Sequence, residues 1–357
     1  MHYEKYEDQV RIGKQTDHSR QNRYSPYCDF IYYHSSRHPE LLLAMRVLKP
    51  GKPSRLVVTT HGWHMSIPPF EAMDTPAGEE LVLEVDMRGR AFSDGSPDCN
   101  GWELFDVMDA VAYARQHYRD WMEDPSLVYF EGGSGGGGNA YAIIAKFPDF
   151  FAAATAMCGI SDYAVWYEHD AVGEFRDELD IWIGHPPQAN PTAYASRSGL
   201  ALASNLLTPL LVCHGDTDIR VPVEQARMYK ERLERLQMSE GMEYWELEGV
   251  GTREHWGHAT PRQLEEIRSR SERHRTRHAK PIDIPVRGRF TIGGYLFTKR
   301  FSIVLDSLDQ VAEVEYDLRG KKFLVSTPEG GPCKYTLELF EGKQIEERTR
   351  ACSSTII

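Results

Sequence analysis

The 357-residue sequence predicts an α/β fold with a mostly parallel central sheet, followed by a small antiparallel β module. Three observations predict it. Between residues 55 and 262, short apolar runs alternate with helix-spaced segments, the rhythm of a sheet covered on both faces. A glycine-rich stretch at residues 127–147 turns one strand directly into a helix. Beyond residue 281 the helical spacing stops, and only strand-like runs separated by Asp and Gly turns remain.

Taken in order, residues 1–26 are polar and read as an N-terminal strap. Residues 27–280 make the α/β domain and residues 281–357 the β module. The runs CDFIYYH and LLLAMRVLK are strands, closed by a Pro50-Gly51-Lys52-Pro53 turn. RLVVTT is a buried strand that leads into His61-Gly62-Trp63-His64, and LVLEVD leads into Met87-Arg88-Gly89-Arg90. Leu104, Met108, Val111 and Arg115 keep helical spacing. After a further strand at residues 152–158, residues 161–207 break the rhythm and read as a cap-like insertion after the fifth core strand. LLVC resumes the sheet and ends in His214-Gly215-Asp216-Thr217-Asp218. EYWELE is the last strand of the domain, and Thr260-Pro261-Arg262-Gln263 is a capping box that opens a helix. The basic run RSRSERHRTRHAK reads as that helix's solvated end.

Composition narrows the function classes. The formal charge is -12, which argues against nucleic acid as the main partner. Six scattered cysteines with no C-x-x-C pair point to a reduced, cytoplasmic setting and suggest no zinc site. The N-terminus lacks the apolar core of a secretory signal. No run approaches the ~18 apolar residues of a membrane span, so no membrane partner is expected.

The chemistry centres on Ser134. Val128, Tyr129 and Phe130 form an apolar strand, and Ala140, Ile143, Ile144 and Phe147 recur on one helix face that Pro148 ends. Ser134 sits in the turn between them, with Gly132 and Gly136 two residues either side, giving G-x-S-x-G in its strand–turn–helix context. Such a turn lifts the hydroxyl clear of the backbone at a helix N-terminus. Gly133, Gly135 and Gly138 also spell a dinucleotide-binding G-x-G-x-x-G, but strands precede it and no acidic residue follows at the required distance. No Gly-Lys-Ser/Thr follows for a phosphate loop. A flexible glycine loop with an ordinary serine is the remaining alternative on this stretch alone.

A serine nucleophile needs a base, and the base needs an acid to orient it. Asp218 lies in the loop after LLVC, and His255 and His258 share the loop after EYWELE. That is the chain order Ser, Asp, His, each at a strand end.

With these residues the chain resembles the α/β-hydrolase superfamily, nearest its prolyl-oligopeptidase-like branch, which also contains esterases and deacetylases. Four matches carry the resemblance: His61-Gly62, Asp86-x-Arg88-Gly89, Gly132-x-Ser134-x-Gly136-Gly137 and His214-Gly215-x-x-Asp218-x-x-Val221-Pro222. The resemblance implies an α/β-hydrolase fold and Asp218, not Asp216, as the acid. It favours His258 as the base, because it follows Gly257 just before the capped helix, with His255 as the alternative. It also implies an oxyanion hole from the backbone N–H groups of Trp63 and Gly135. Trp63, His64, Tyr163 and Trp166 are expected to line the substrate pocket. Asp86 and Arg88 read as a structural pair. His61 and His64 have a short spacing but no acidic or cysteine neighbour in sequence, so no metal and no cofactor are expected.

The leading expectation is therefore a serine hydrolase of carboxylic esters, of carboxylesterase or deacetylase type. The alternative is a peptidase on short peptides, for which Glu168, Asp170, Glu174, Asp177 and Glu178 would capture a free α-amine. A non-catalytic binding protein on the same fold is the third reading. The partner expected is a small-molecule ester or short peptide. The β module suits a lid, a carbohydrate-binding surface or a subunit contact in a homo-oligomer.

Overall fold

The computed structural model describes residues 20–170, 173–341 and 344–352. Most of the expected N-terminal strap, residues 1–19, lies outside them. The chain runs through β1 (Cys28–His34), β2 (Leu42–Leu48), β3 (Leu56–Thr60), β4 (Leu81–Asp86), α1 (Glu103–His117), β5 (Val128–Gly133), α2 (Gly135–Lys146) and β6 (Ala153–Met157). The insertion follows as three short helices, α3 (Tyr163–Glu168), α4 (Arg176–Trp182) and α5 (Pro191–Ala195). Then come β7 (Leu210–Gly215), α6 (Glu224–Arg235), β8 (Met242–Leu247) and α7 (Pro261–Arg277). Counted with the N-terminal hairpin, the strand before the insertion is the sixth.

These strands form one eight-stranded sheet in the order β1-β2-β4-β3-β5-β6-β7-β8. The β1–β2 and β2–β4 pairs are antiparallel and every later pair is parallel. The apolar runs explain this arrangement. Leu56, Val58, Val128, Phe130, Leu210 and Val212 are fully or almost fully buried, as central parallel strands covered on both faces must be. Helix α2 lies against β5 and is buried along its whole length. After β8, Thr260 Oγ1 accepts from Gln263 N at 3.2 Å while Gln263 Oε1 accepts from Thr260 N at 2.8 Å, so the capping box starts α7 where the sequence places it. The basic run occupies α7. Arg268, Arg273 and Arg277 are exposed, but Arg275 is buried and bridges to Glu80 at 2.9 Å and to Glu131.

The C-terminal strands are β9 (Arg287–Gly293), β10 (Tyr295–Phe297), β11 (Phe301–Leu305), β12 (Val311–Asp317), β13 (Lys322–Ser326), β14 (Lys334–Glu341) and β15 (Gln344–Cys352). They build a second, antiparallel sheet in the order β13-β12-β9-β10-β11-β14-β15. Its own core includes Phe290, Ile303, Val314 and Phe323. It does not hang free. Tyr295 is fully buried, stacks on Trp102 at 4.8 Å and donates its hydroxyl to the Gly101 carbonyl at 2.8 Å. Phe297 packs edge-on against Phe105 at 4.9 Å. The buried Lys146 of α2 donates to the carbonyl of Gly293. No helix among the described residues is long and apolar enough to cross a membrane.

Candidate active site

The parallel strands decide which loops meet. Gly133 pairs with Met157 and Met157 with Cys213, so the C-terminal ends of β5, β6 and β7 lie side by side, with β8 next in line. Ser134 follows β5, Asp218 follows β7 and His255 follows β8. All three emerge at the same edge of the sheet.

Ser134 sits at φ 55°, ψ -119°, outside the regions ordinary L-residues occupy. Such a conformation costs roughly 1–3 kcal/mol and persists where the surroundings enforce it. Here the Ser134 N–H donates to the Met157 carbonyl at 2.9 Å, and the Ser134 carbonyl accepts from Gly138 N at 3.0 Å as the first bond of α2. The flanking glycines are needed for close approach. A Cβ at Gly132 would lie 2.1 Å from the Gly136 carbonyl oxygen, so strand and helix could not close around the serine.

The oxyanion candidates also converge. A Cβ on Gly135 would stand 2.7 Å from the backbone nitrogen of Trp63, so the loop after β3 lies directly against the start of α2. Among the described residues, neither the Trp63 N–H nor the Gly135 N–H donates to another group. A small pocket opens beside them, lined among others by Arg90, Glu103 and Trp182. Burial and the neighbouring Asp98 carboxylate push Glu103 up to about 7.

Asp218 is held from three sides. Its Oδ1 accepts from the backbone N–H groups of Arg220 and Val221, each at 3.0 Å. Its Oδ2 lies 2.6 Å from His255 Nδ1. His258 is not the Asp218 partner, contrary to the sequence expectation. It is exposed at φ 65°, three residues further on. The reason is how the loop is laced. Thr217 N donates to Val250 O at 3.0 Å, Ile219 N to Thr252 O at 3.1 Å, and Thr217 Oγ1 to Gly251 O at 2.9 Å. Gly251 N then closes on Gly257 O at 2.7 Å. The turn between those two glycines carries His255 onto Asp218 and leaves His258 past the closure. Asp216 faces elsewhere, with its Oδ1 accepting from Gly249 N at 2.7 Å.

Several expected side-chain roles change. Tyr163 and Trp166 are both 1% exposed, so in this conformation they do not line a pocket. They pack behind Trp63, with ring centroids 5.8 and 4.9 Å away. His64 does have an acidic neighbour. Glu178, distant in sequence, accepts from His64 Nε2 at 2.8 Å and from Trp63 Nε1 at 2.5 Å. Two other members of the expected amine-binding cluster are also engaged: Glu174 pairs with Arg220 at 3.2 Å, and Asp170 accepts from the backbone of residues 173–176. Asp86 and Arg88 are structural but not each other's partner. Asp86 accepts from Ile67 N and Phe92 N, while Arg88 forks onto Asp106 at 2.6 and 2.8 Å.

Below the site, His214 is fully buried and donates Nε2 to the Val221 carbonyl at 2.8 Å, and burial pushes its pKa down. Cys158, His214 and Asp218 lie close enough to share an ion, but both Asp218 oxygens already accept hydrogen bonds. Glu243, His274 and His278 form a second such group, in which Arg277 already pairs with Glu243.

The chain is similar to known proteins. A model of the prolyl oligopeptidase family matches residues 85–272, just over half of the chain. The uncharacterized peptidase YuxL of Bacillus subtilis (strain 168) is 34% identical over 142 residues, 36% of this chain and 19% of that protein. The esterase LipC of Mycobacterium tuberculosis is 29% identical over 161 residues, 42% of this chain and 40% of that protein. Among solved structures, an acylaminoacyl peptidase of Pyrococcus horikoshii shares the fold with a TM-score of 0.57 at 19% identity, covering 77% of this chain and 44% of that one. The match thus spans less than half the length of each of these relatives.

Proposed function

Because the chain belongs to the prolyl oligopeptidase family of α/β-hydrolases, we propose that it is a serine hydrolase whose nucleophile is Ser134. His255 is the base and Asp218 the acid. With its Nδ1–H directed at Asp218, the His255 ring presents Nε2 as the proton acceptor. The Ser134 oxygen attacks a carbonyl carbon while His255 takes the hydroxyl proton. The tetrahedral oxyanion is received by the N–H groups of Trp63 and Gly135. His255 then returns the proton to the leaving group, and an acyl-enzyme remains. Water, deprotonated by the same histidine, releases the acid.

The observation that carries this reading is the pair of N–H groups that, among the described residues, have no acceptor beside the strained serine. It supports acyl transfer over a binding-only role, because holding Ser134 in a strained conformation beside those donors is a cost that simple binding does not require.

We propose a carboxylic ester as the substrate. Three of the acidic residues that would hold a peptide's free α-amine, Asp170, Glu174 and Glu178, are engaged elsewhere, Glu178 most deeply. The second reading, a peptidase acting on short blocked peptides, keeps the same triad and does not need that amine site. Kinetics on a panel of acyl esters, acetylated sugars and aminoacyl amides, with wild type and Ser134→Ala, tests the choice. Higher kcat/KM on esters than on amides bearing the same acyl group, without reliance on their intrinsic reactivity, supports the ester reading. A preference for N-blocked peptide amides supports the second.

A further inference from the structure

Resting on the Ser134 chemistry above, we infer that Glu178 is a positioning residue for the oxyanion hole and that it couples the insertion at residues 161–207 to catalysis. Glu178 lies on α4, in a segment outside the strand-end loops that supply Ser134, Asp218 and His255. Its carboxylate is 3% exposed, and such burial is tolerated only when donors satisfy the charge. Two donors on Oε2, the Trp63 indole N–H and His64 Nε2, come from the loop after β3. That is the loop whose backbone N–H faces Gly135.

The same face of α4 makes a second contact. Trp182, one turn beyond Glu178, packs its ring 4.6 Å from that of Trp63. Arg90, from the turn after β4, lies over the Trp182 ring at 4.5 Å and donates Nη2 to the Trp63 carbonyl at 2.7 Å. Trp63 is therefore fixed at its indole nitrogen, its ring and its carbonyl. Among the described residues its backbone N–H has no acceptor, which leaves that group for a ligand. Two of these three restraints come from α4 and the third bears on it through Trp182. A displacement of the insertion would turn the Trp63 peptide and aim its N–H away from the oxyanion. The insertion thus acts as a cap that completes the oxyanion hole when it is seated.

The test uses the full chain, a p-nitrophenyl acyl ester, and a trifluoromethyl ketone whose hemiketal adduct with the serine places an oxyanion in the hole. Removing an oxyanion donor outright costs about 10²–10³-fold in kcat, so Glu178→Ala, which only misplaces one, should cost about 10–100-fold with KM changed by less than about 3-fold. The ketone's inhibition constant should rise in step. Glu178→Gln retains an acceptor for the Trp63 indole and should recover most of the loss. Ile181→Gln, exposed on the same helix, should match wild type. If Glu178→Ala does not fold, Trp63→Phe removes the indole donor while keeping a ring and should reproduce the kcat loss. Folded Glu178→Ala or Trp63→Phe with wild-type kcat overturns the inference, as does a kcat loss with unchanged ketone affinity. An active wild type with an indifferent Glu178→Ala sinks this inference alone. A wild type in which Ser134 is unreactive sinks the hydrolase reading and this inference with it.

Discussion

His255 Nδ1 meets Asp218 Oδ2 at 2.6 Å, whereas His258, in the same loop, is exposed and sits at φ 65°. The contact requires that His255→Ala lower kcat by about 10⁴-fold or more, and that His258→Ala stay within a few-fold of wild type. Steady-state kinetics on one ester for both variants decides the assignment. A dead His258→Ala beside an active His255→Ala reverses it.

Asp218 and Asp216 make a second pair to separate. Asp218 orients the base, while Asp216 accepts from Gly249 N in a surface loop. Asp218→Asn should cost about 10⁴-fold in turnover by disturbing the histidine's tautomer. Asp216→Asn should have a mild effect, read as less than about 1 kcal/mol of stability. Comparable kcat losses in both variants would mean that Asp218 has no special link to the base.

Local chemistry was readable in the sequence and loop closure was not. Ser134, Gly132 and Gly136 lie within five residues, and steric need alone demands that spacing. Asp216 and Asp218 both follow a fully buried strand, and only the resemblance of His214-Gly215-x-x-Asp218-x-x-Val221-Pro222 to the family pattern separates them in the sequence. His255 and His258 could not be ranked, because the choice depends on bonds such as Thr217 Oγ1 to Gly251 O, made between residues more than 30 apart. Glu178 was one member of an acidic run, and runs usually face solvent. Nothing local marks it as buried. Tyr163 and Trp166 suit pocket walls and cores equally well as sequence, because aromatics serve both, and in the structure they pack inward against Trp63.

Lys146 gives a pH prediction. Burial, and then the charge of Arg197, push its ammonium down to about 7 from an ordinary 10.5. Between pH 7 and 10.5 the unfolded chain holds a proton there that the folded chain has lost, so this residue's contribution to stability rises with pH across that window. The stability of wild type relative to Lys146→Met should therefore increase by about 2 kcal/mol between pH 7 and 9. Urea unfolding of both proteins at the two pH values measures it. A constant difference contradicts the prediction.

The change of pattern near residue 281 suggests a detachable module, but the packing argues against detachment. Truncation after Lys280 would expose Trp102 and Phe105 and leave the buried Lys146 without the Gly293 carbonyl. The truncated chain should aggregate or lose cooperative unfolding, as judged by gel filtration and thermal melting. A monomeric, cooperatively folding truncation would show that the second sheet is dispensable.

The most direct test of the central claim is reaction of the full chain with a fluorophosphonate, followed by peptide mapping by mass spectrometry. Ser134, held at φ 55° beside the Trp63 and Gly135 N–H groups, should be the labelled residue, in about one-to-one stoichiometry, with labelling lost in Ser134→Ala and slowed at least about 10²-fold in His255→Ala. An unlabelled Ser134 in folded protein, or equal labelling in His255→Ala, would contradict the account.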